Sequence, residues 1–135
     1  MFSDKQIQYI KSQRLARIAT VSTQLQPDVA PVGFEFDGQH FYIGGLQQEK
    51  TNKYKNVASG NRKVALVIDD LESVNPWKPR GIKIHGLAEI VGRQGQLGPA
   101  PYLKVTPEKY WSWGIERPVF EEGKVVMKKK TREQV

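Results

Sequence analysis

Residues 49–56, EKTNKYKN, put three lysines (Lys50, Lys53, Lys55) and a threonine (Thr51) into about a turn and a half of chain, after Gly44-Gly45 and ahead of the apolar Val57 and Ala58. At a helix start, such a run aims ammonium groups, a hydroxyl and unpaired backbone N–H groups at one volume, which is the chemistry that holds a phosphate. The same residues also suit a solvated helix face, so the rest of the chain has to decide. Other sources of reactivity are scarce. His40 and His85 sit singly inside strand-like runs, and Ser12, Ser22, Ser59, Ser73 and Ser112 lie outside any G-x-S-x-G context. Asp69-Asp70 and Glu121-Glu122 are sequence neighbours, which point to opposite faces of a strand and cannot share a site. Cysteine is absent, which removes thiolate nucleophiles, disulfides and cysteine-ligated metals. No catalytic side chain and no metal site are expected; a bound cofactor has to supply the reactivity.

The elements that must position this cluster follow from periodicity. Ser3 and Asp4 are helix-capping types, and Phe2, Ile7 and Ile10 recur at helical steps, predicting a short helix to about Gln13 that lids one end of a sheet. LARIATVST is strand-like and closes on the turn QLQPD. The runs 29–36 and 39–43 flank Asp37-Gly38, the signature of a hairpin with a two-residue type I′ turn. A helix of about two and a half turns then carries a stripe of Tyr54, Val57 and Ala58 and stops at Gly60-Asn61. KVALVI is a strand, DDLESVNPWKPR a loop, and RGIKIHGLAEIV a long strand with Ile82, Ile84, Ala88 and Ile90 on one face and a bend at Gly86. GRQGQLGPAP is a turn, YLKVTP a strand, YWSWGIE a strand or tight turn, and KVVMKKK a weak strand or tail. Six or seven strands with short connections predict a mainly β fold, an antiparallel barrel with short helices.

With 135 residues, 39% hydrophobic and 26% charged, the chain suits one domain, here taken as residues 1–127, with 128–135 a basic tail that frays into solvent. No apolar run is long enough to span a bilayer and no secretory pattern opens the sequence, so a cytoplasmic protein is expected. The net charge of +7 favours anionic partners.

Taken in order, LARIATV, DVAPVGFEFDG, KTNKYKNVASGNRKVALVIDD, RGIKIHGLAEIV and SWGI resemble the split-barrel flavin-binding superfamily typified by pyridoxamine 5′-phosphate oxidase, and within it the small oxidoreductases using the deazaflavin coenzyme F420. The resemblance covers roughly residues 14 to 115. It implies a six-stranded antiparallel split β-barrel that forms a homodimer, with the cofactor in a groove at the dimer interface. Val32 and Gly33 fall where the strand backbone lies beside the ring, glycine permitting close approach. Lys50, Thr51 and Lys53 fall on the phosphate cluster, Arg80 at the start of the strand that approaches the cofactor, and Trp113 where a C-terminal residue borders the ring. Apolar Val29 and Phe34 stand where the oxidases carry an arginine and a lysine, and Thr51-Asn52-Lys53 replaces their Ser-Arg-Lys, which is closer to the deazaflavin branch.

The expectation is therefore an F420-dependent oxidoreductase that passes a hydride to a small unsaturated organic substrate. An FMN-binding oxidase, reductase or carrier of the same fold is the alternative. A third reading, from another class, is a basic barrel that binds single-stranded nucleic acid through Phe34, Phe36, Phe41, Tyr42 and Trp77.

Overall fold

In the computed structural model, which describes residues 1–95 and 98–133, Ser3 caps helix α1 (Asp4–Ser12). The Ser3 hydroxyl accepts from the Gln6 amide while the Gln6 side chain accepts from the Ser3 amide. The helix buries Gln6, Tyr9 and Ile10. Ile7 is only half-buried, so the inward face is turned from the one its isoleucines suggest.

The strands are β1 (Leu15–Val21), β2 (Pro27–Gly33), β3 (Glu35–Phe36), β4 (Phe41–Ile43), β5 (Lys63–Ser73), β6 (Lys78–Gly95), β7 (Gly98–Trp113), β8 (Phe120–Glu121), β9 (Lys124–Val125) and β10 (Lys128–Thr131). A 3-10 turn (Gln48–Lys50) and helix α2 (Asn52–Ala58) separate β4 from β5. The main sheet runs β2-β1-β5-β6-β7-β4-β3, with antiparallel neighbours throughout, and β10 lies along β7. Since β2 passes into β3 across Phe34, the two ends of this sheet meet through the chain itself, giving a barrel whose wall is split along one seam. Counting β2 and β3 as one interrupted strand gives the six strands expected; β10 is an addition.

Four local expectations change. Lys128–Thr131 does not fray but pairs with Ser112 to Lys109 of β7. It takes the side of β7 that β4 leaves open beyond Val105, because unpaired backbone groups recruit a strand whatever its side chains. In DDLESVNPWKPR the strands run on to Ser73 and resume at Lys78, with Pro79 opposite Leu71, so the connection is only residues 74–77. β6 and β7 likewise continue through the glycines and prolines to Gly95 and Gly98; the tip of that predicted turn, 96–97, lies outside the described residues. The Asp37-Gly38 turn is longer than two residues, because Phe36 pairs with Phe41 and the Asp37 carboxylate accepts from the amides of Gln39 and His40. At Gly86 the register does slip, though the extra residue is on β7. A Cβ there would stand 2.7 Å from the Thr106 carbonyl oxygen, so Gly86 permits a close strand approach.

Ile18, Phe41, Ile43, Leu66, Ile68, Ile82, Ile84, Leu103 and Tyr110 are fully buried inside the barrel, each worth about 1.5–3 kcal/mol relative to exposure. Helix α1 plugs one end with Tyr9 and Ile10. It is clamped there: Arg80 donates two hydrogen bonds to Asp70 at 2.7 and 2.9 Å, the Tyr9 hydroxyl donates to Asp70 at 3.0 Å, and the guanidinium lies 5.1 Å from the Tyr9 ring centroid. The bonds from Arg80 hold the Asp70 carboxyl below the usual carboxylate range. Burial, reinforced by Asp70, pushes the Tyr9 phenol above its own.

A depressed Asp70 contributes stability that is complete above its unfolded pKa of about 3.9 and fades as pH falls through the lower folded value. Asp70→Asn is expected to cost about 1–2 kcal/mol at neutral pH. In denaturant titrations that difference should vanish toward pH 2, and a cost that persists unchanged there would show that the clamp does not act through the charge.

Candidate functional site

Thr51 is the N-cap of α2. Its hydroxyl accepts from the Tyr54 amide at 3.3 Å and donates to the Gln48 carbonyl at 2.6 Å, so its hydrogen is already spent on shaping the turn. Lys50 is exposed at the end of the 3-10 turn. Lys53 is not: it is only 9% exposed, and among the described residues its ammonium makes no hydrogen bond or ion pair. The face that α2 buries is Lys53, Asn56 and Val57, with Asn56 donating to Thr20 at 2.9 Å, rather than the expected Tyr54, Val57 and Ala58. Burial lowers the Lys53 pKa, opposed by the nearby carboxylate of Asp28. A partly desolvated cation favours a counter-charge, and an anion bound at this corner would supply one.

Asp28 belongs to β2, which pairs only with β1 and so forms an edge of the sheet. Proline has no N–H to give a ladder, so Pro27 and Pro31 mark the residues of β2 whose backbone points away from β1. By alternation, Val29 and Gly33 turn their N–H and C=O groups the same way. Val32 is 6% exposed and sends its side chain into the core, and the same alternation turns its backbone groups toward Ala16 of β1 rather than to the open edge.

At Gly33 the strand reaches a cleft of about 570 Å³. Gly33, Gly44, Gly45, Gly95 and Gly98 are among its lining residues, with the side chains of Tyr42 and Tyr102 beside them. A Cβ at Gly33 would meet nothing within 4 Å, so the space above it is open. Behind Gly45, the buried Oε1 of Gln48 has no hydrogen-bond partner. Glu35 lines the cleft but is ion-paired with Arg93 at 2.6 Å, and Arg93 lies over the Tyr42 ring at 4.0 Å. The cleft and the lysine corner stand at opposite ends of β2, roughly 17 Å apart along the strand.

Arg80 and Trp113 are elsewhere. Trp113 pairs with Gly81, and β1, β5 and β6 stand between it and Gly33, roughly 19 Å around the wall. Within one chain the structure therefore brings together Lys50, Thr51 and Lys53, places Gly33 at the cleft, and leaves Arg80 bonded to Asp70 several strands away across the sheet. His40 stands by Asp37 and His85 by Trp111, and neither lines a cleft described here. No three His, Asp or Glu side chains cluster to hold a metal among the described residues. No helix in the described residues is long and apolar enough to cross a membrane.

Sequence reasoning missed Asp28, Gln48, Arg93 and Tyr102. Gly44-Gly45 was the visible signal for the cleft, but the wall from Gly95 and Gly98 depends on how far the β6–β7 hairpin extends.

A family model described as pyridoxamine 5′-phosphate oxidase matches residues 2–130. A 5a,11a-dehydrotetracycline/5a,11a-dehydrooxytetracycline reductase of Streptomyces rimosus is 34% identical in an alignment 121 residues long that covers 85% of this chain and 84% of that one. Among solved structures, HupZ of Group A Streptococcus superposes with a TM-score of 0.67 at 22% identity, over 84% of this chain and 95% of that chain. An F420 reductase superposes with a TM-score of 0.58 at 23% identity, over 73% and 89%.

Proposed function

Because the chain belongs to the pyridoxamine 5′-phosphate oxidase family, we propose that it is an oxidoreductase of the F420-dependent branch, reducing an electron-poor double bond of a small organic molecule. The observation that carries this reading is Lys53, a largely buried lysine with no ion-pair partner among the described residues, beside a glycine-ended edge strand. It is supported by the 34% identical relative being a reductase and by the fold shared with an F420 reductase.

The residues present fit the cofactor. Lys53 and Lys50 hold its phosphate, and Thr51 fixes the turn that aims them. Lys55, Arg62 and Lys63, close by in sequence, suit the acidic glutamyl tail of the deazaflavin better than the shorter FMN. The edge of β2 offers the ring the N–H groups of Val29 and Gly33, and Gly33 lets the ring approach. When bound, the reduced deazaflavin supplies a hydride, and a proton from solvent completes conversion of a C=C bond to CH–CH. Glu35, engaged by Arg93, is not placed as that donor. Since Arg80 and Trp113 do not reach Gly33 within the chain, they complete the ring site only from a second copy, which makes a homodimer part of the proposal.

Titration with F420 and with FMN, followed by absorbance and fluorescence, tests it. One F420 per chain, bound about tenfold more tightly than FMN, is the expected result. Failure to bind either, or tighter binding of FMN, rules the F420 reading out. Lys53→Ala should weaken F420 binding about tenfold or more without loss of stability, since it also removes a poorly solvated charge. Equal affinity in the two proteins would remove Lys53 from the site.

A further inference from the structure

Trp77 and Phe120 are 56% and 50% exposed. Both line a cleft of about 630 Å³ between the 74–77 connection and the segment 114–120, a size that encloses a drug-sized molecule. Pro79, Pro118 and the buried Val119 complete its apolar walls. Two large rings left half in water carry a hydrophobic cost that a flat apolar ligand removes.

The charges around this cleft are already matched. Arg80 is held by Asp70, Arg117 by Glu121, and Glu116 by Lys128 and Ser3. That leaves Lys78 and Glu72, one of each sign, as the lining charges without an ion-pair partner among the described residues. No net charge remains to attract a phosphate, in contrast to the lysine corner of α2. One wall includes Phe120 of the β8–β9 ribbon, which pairs with no strand of the main sheet. The base of that wall is fixed at Gly114, whose φ of +70° and contact with Pro79 and Arg80 exclude a side chain. Gly114 directly follows Trp113.

We infer that this cleft binds the organic substrate, and that the substrate is an uncharged, flat, fused-ring molecule stacked between Trp77 and Phe120. Calling the ligand a substrate rests on the oxidoreductase reading above; the binding itself does not.

The test is a fluorescence titration of the full chain, without cofactor, with N-phenyl-1-naphthylamine, a neutral aromatic probe. One site per chain is expected, weakened about tenfold or more by Trp77→Ala and by Phe120→Ala. Leu25→Asn, which removes a leucine 79% exposed on the β1–β2 turn, should leave it unchanged. The sulfonated counterpart, 8-anilinonaphthalene-1-sulfonate, should bind no more tightly than the neutral probe. Wild-type binding by either aromatic variant overturns the inference, as does a sulfonated probe that binds about tenfold more tightly. If the neutral probe behaves as expected while F420 and FMN both fail to bind, the cleft stands and the redox reading falls. If F420 binds while Trp77→Ala keeps the probe, the outcome is the reverse.

Discussion

Phe41→Ala is expected to lower the unfolding free energy by about 3–5 kcal/mol, the cost of removing a large aromatic from a core that cannot close over the gap. Phe41 is fully buried, and its ring stands 4.5 Å from Phe36, 5.7 Å from Phe34 and 6.4 Å from Phe2. One side chain thus joins the chain start to both sides of the barrel's seam. For a domain with about 5–15 kcal/mol in total, the loss is a large share. Urea denaturation followed by tryptophan fluorescence measures it, and a loss below about 1 kcal/mol would mean that the seam repacks freely.

Gly33→Val should do the opposite: leave the fold intact and abolish function. A Cβ at Gly33 meets nothing within 4 Å, and a β-branched residue suits a strand, so stability should move by no more than about 0.5 kcal/mol. The added isopropyl group fills the space proposed for the ring, and F420 affinity should drop about a hundredfold, or roughly 2.7 kcal/mol. Wild-type affinity in a stably folded Gly33→Val protein would show that the ring lies elsewhere. Together the two substitutions separate what holds the barrel from what the barrel holds.

The barrel was legible because its strands alternate: Ile82, Ile84 and Ala88 are buried while Lys83, His85 and Glu89 are exposed, although Ile90, expected on the same face as the first three, is exposed where β6 runs past β5. Strand ends were less so, since proline and glycine near 75–79 and 92–101 look like punctuation. They are tolerated where two long hairpin arms run past their outer neighbours, so that a missing N–H on the outer side breaks no ladder bond. The turn at Asp37 was misjudged because the dipeptide reports backbone preference, whereas its carboxylate captures two amides and sets a longer loop. The lysine–threonine cluster was visible as composition, but the burial of Lys53 was not. A lysine contributes nothing to a hydrophobic stripe, and α2 turns it inward to keep Asn56 bonded to Thr20. Arg80 drew attention as a basic residue at a strand start. Its bond to Asp70 follows from the β5–β6 register, in which the two are directly opposite, and no local spacing announces it.

Pro27 and Pro31 have one more effect. A bare strand margin is an invitation to endless end-on recruitment of neighbouring molecules, the route to fibres. Two missing amides at alternate outward positions break that template every fourth residue while leaving carbonyls and the amides of Val29 and Gly33 open to a small guest. The border of β2 is therefore permissive to a ligand and hostile to pairing with another strand, so its backbone can stay unpaired without templating a fibre.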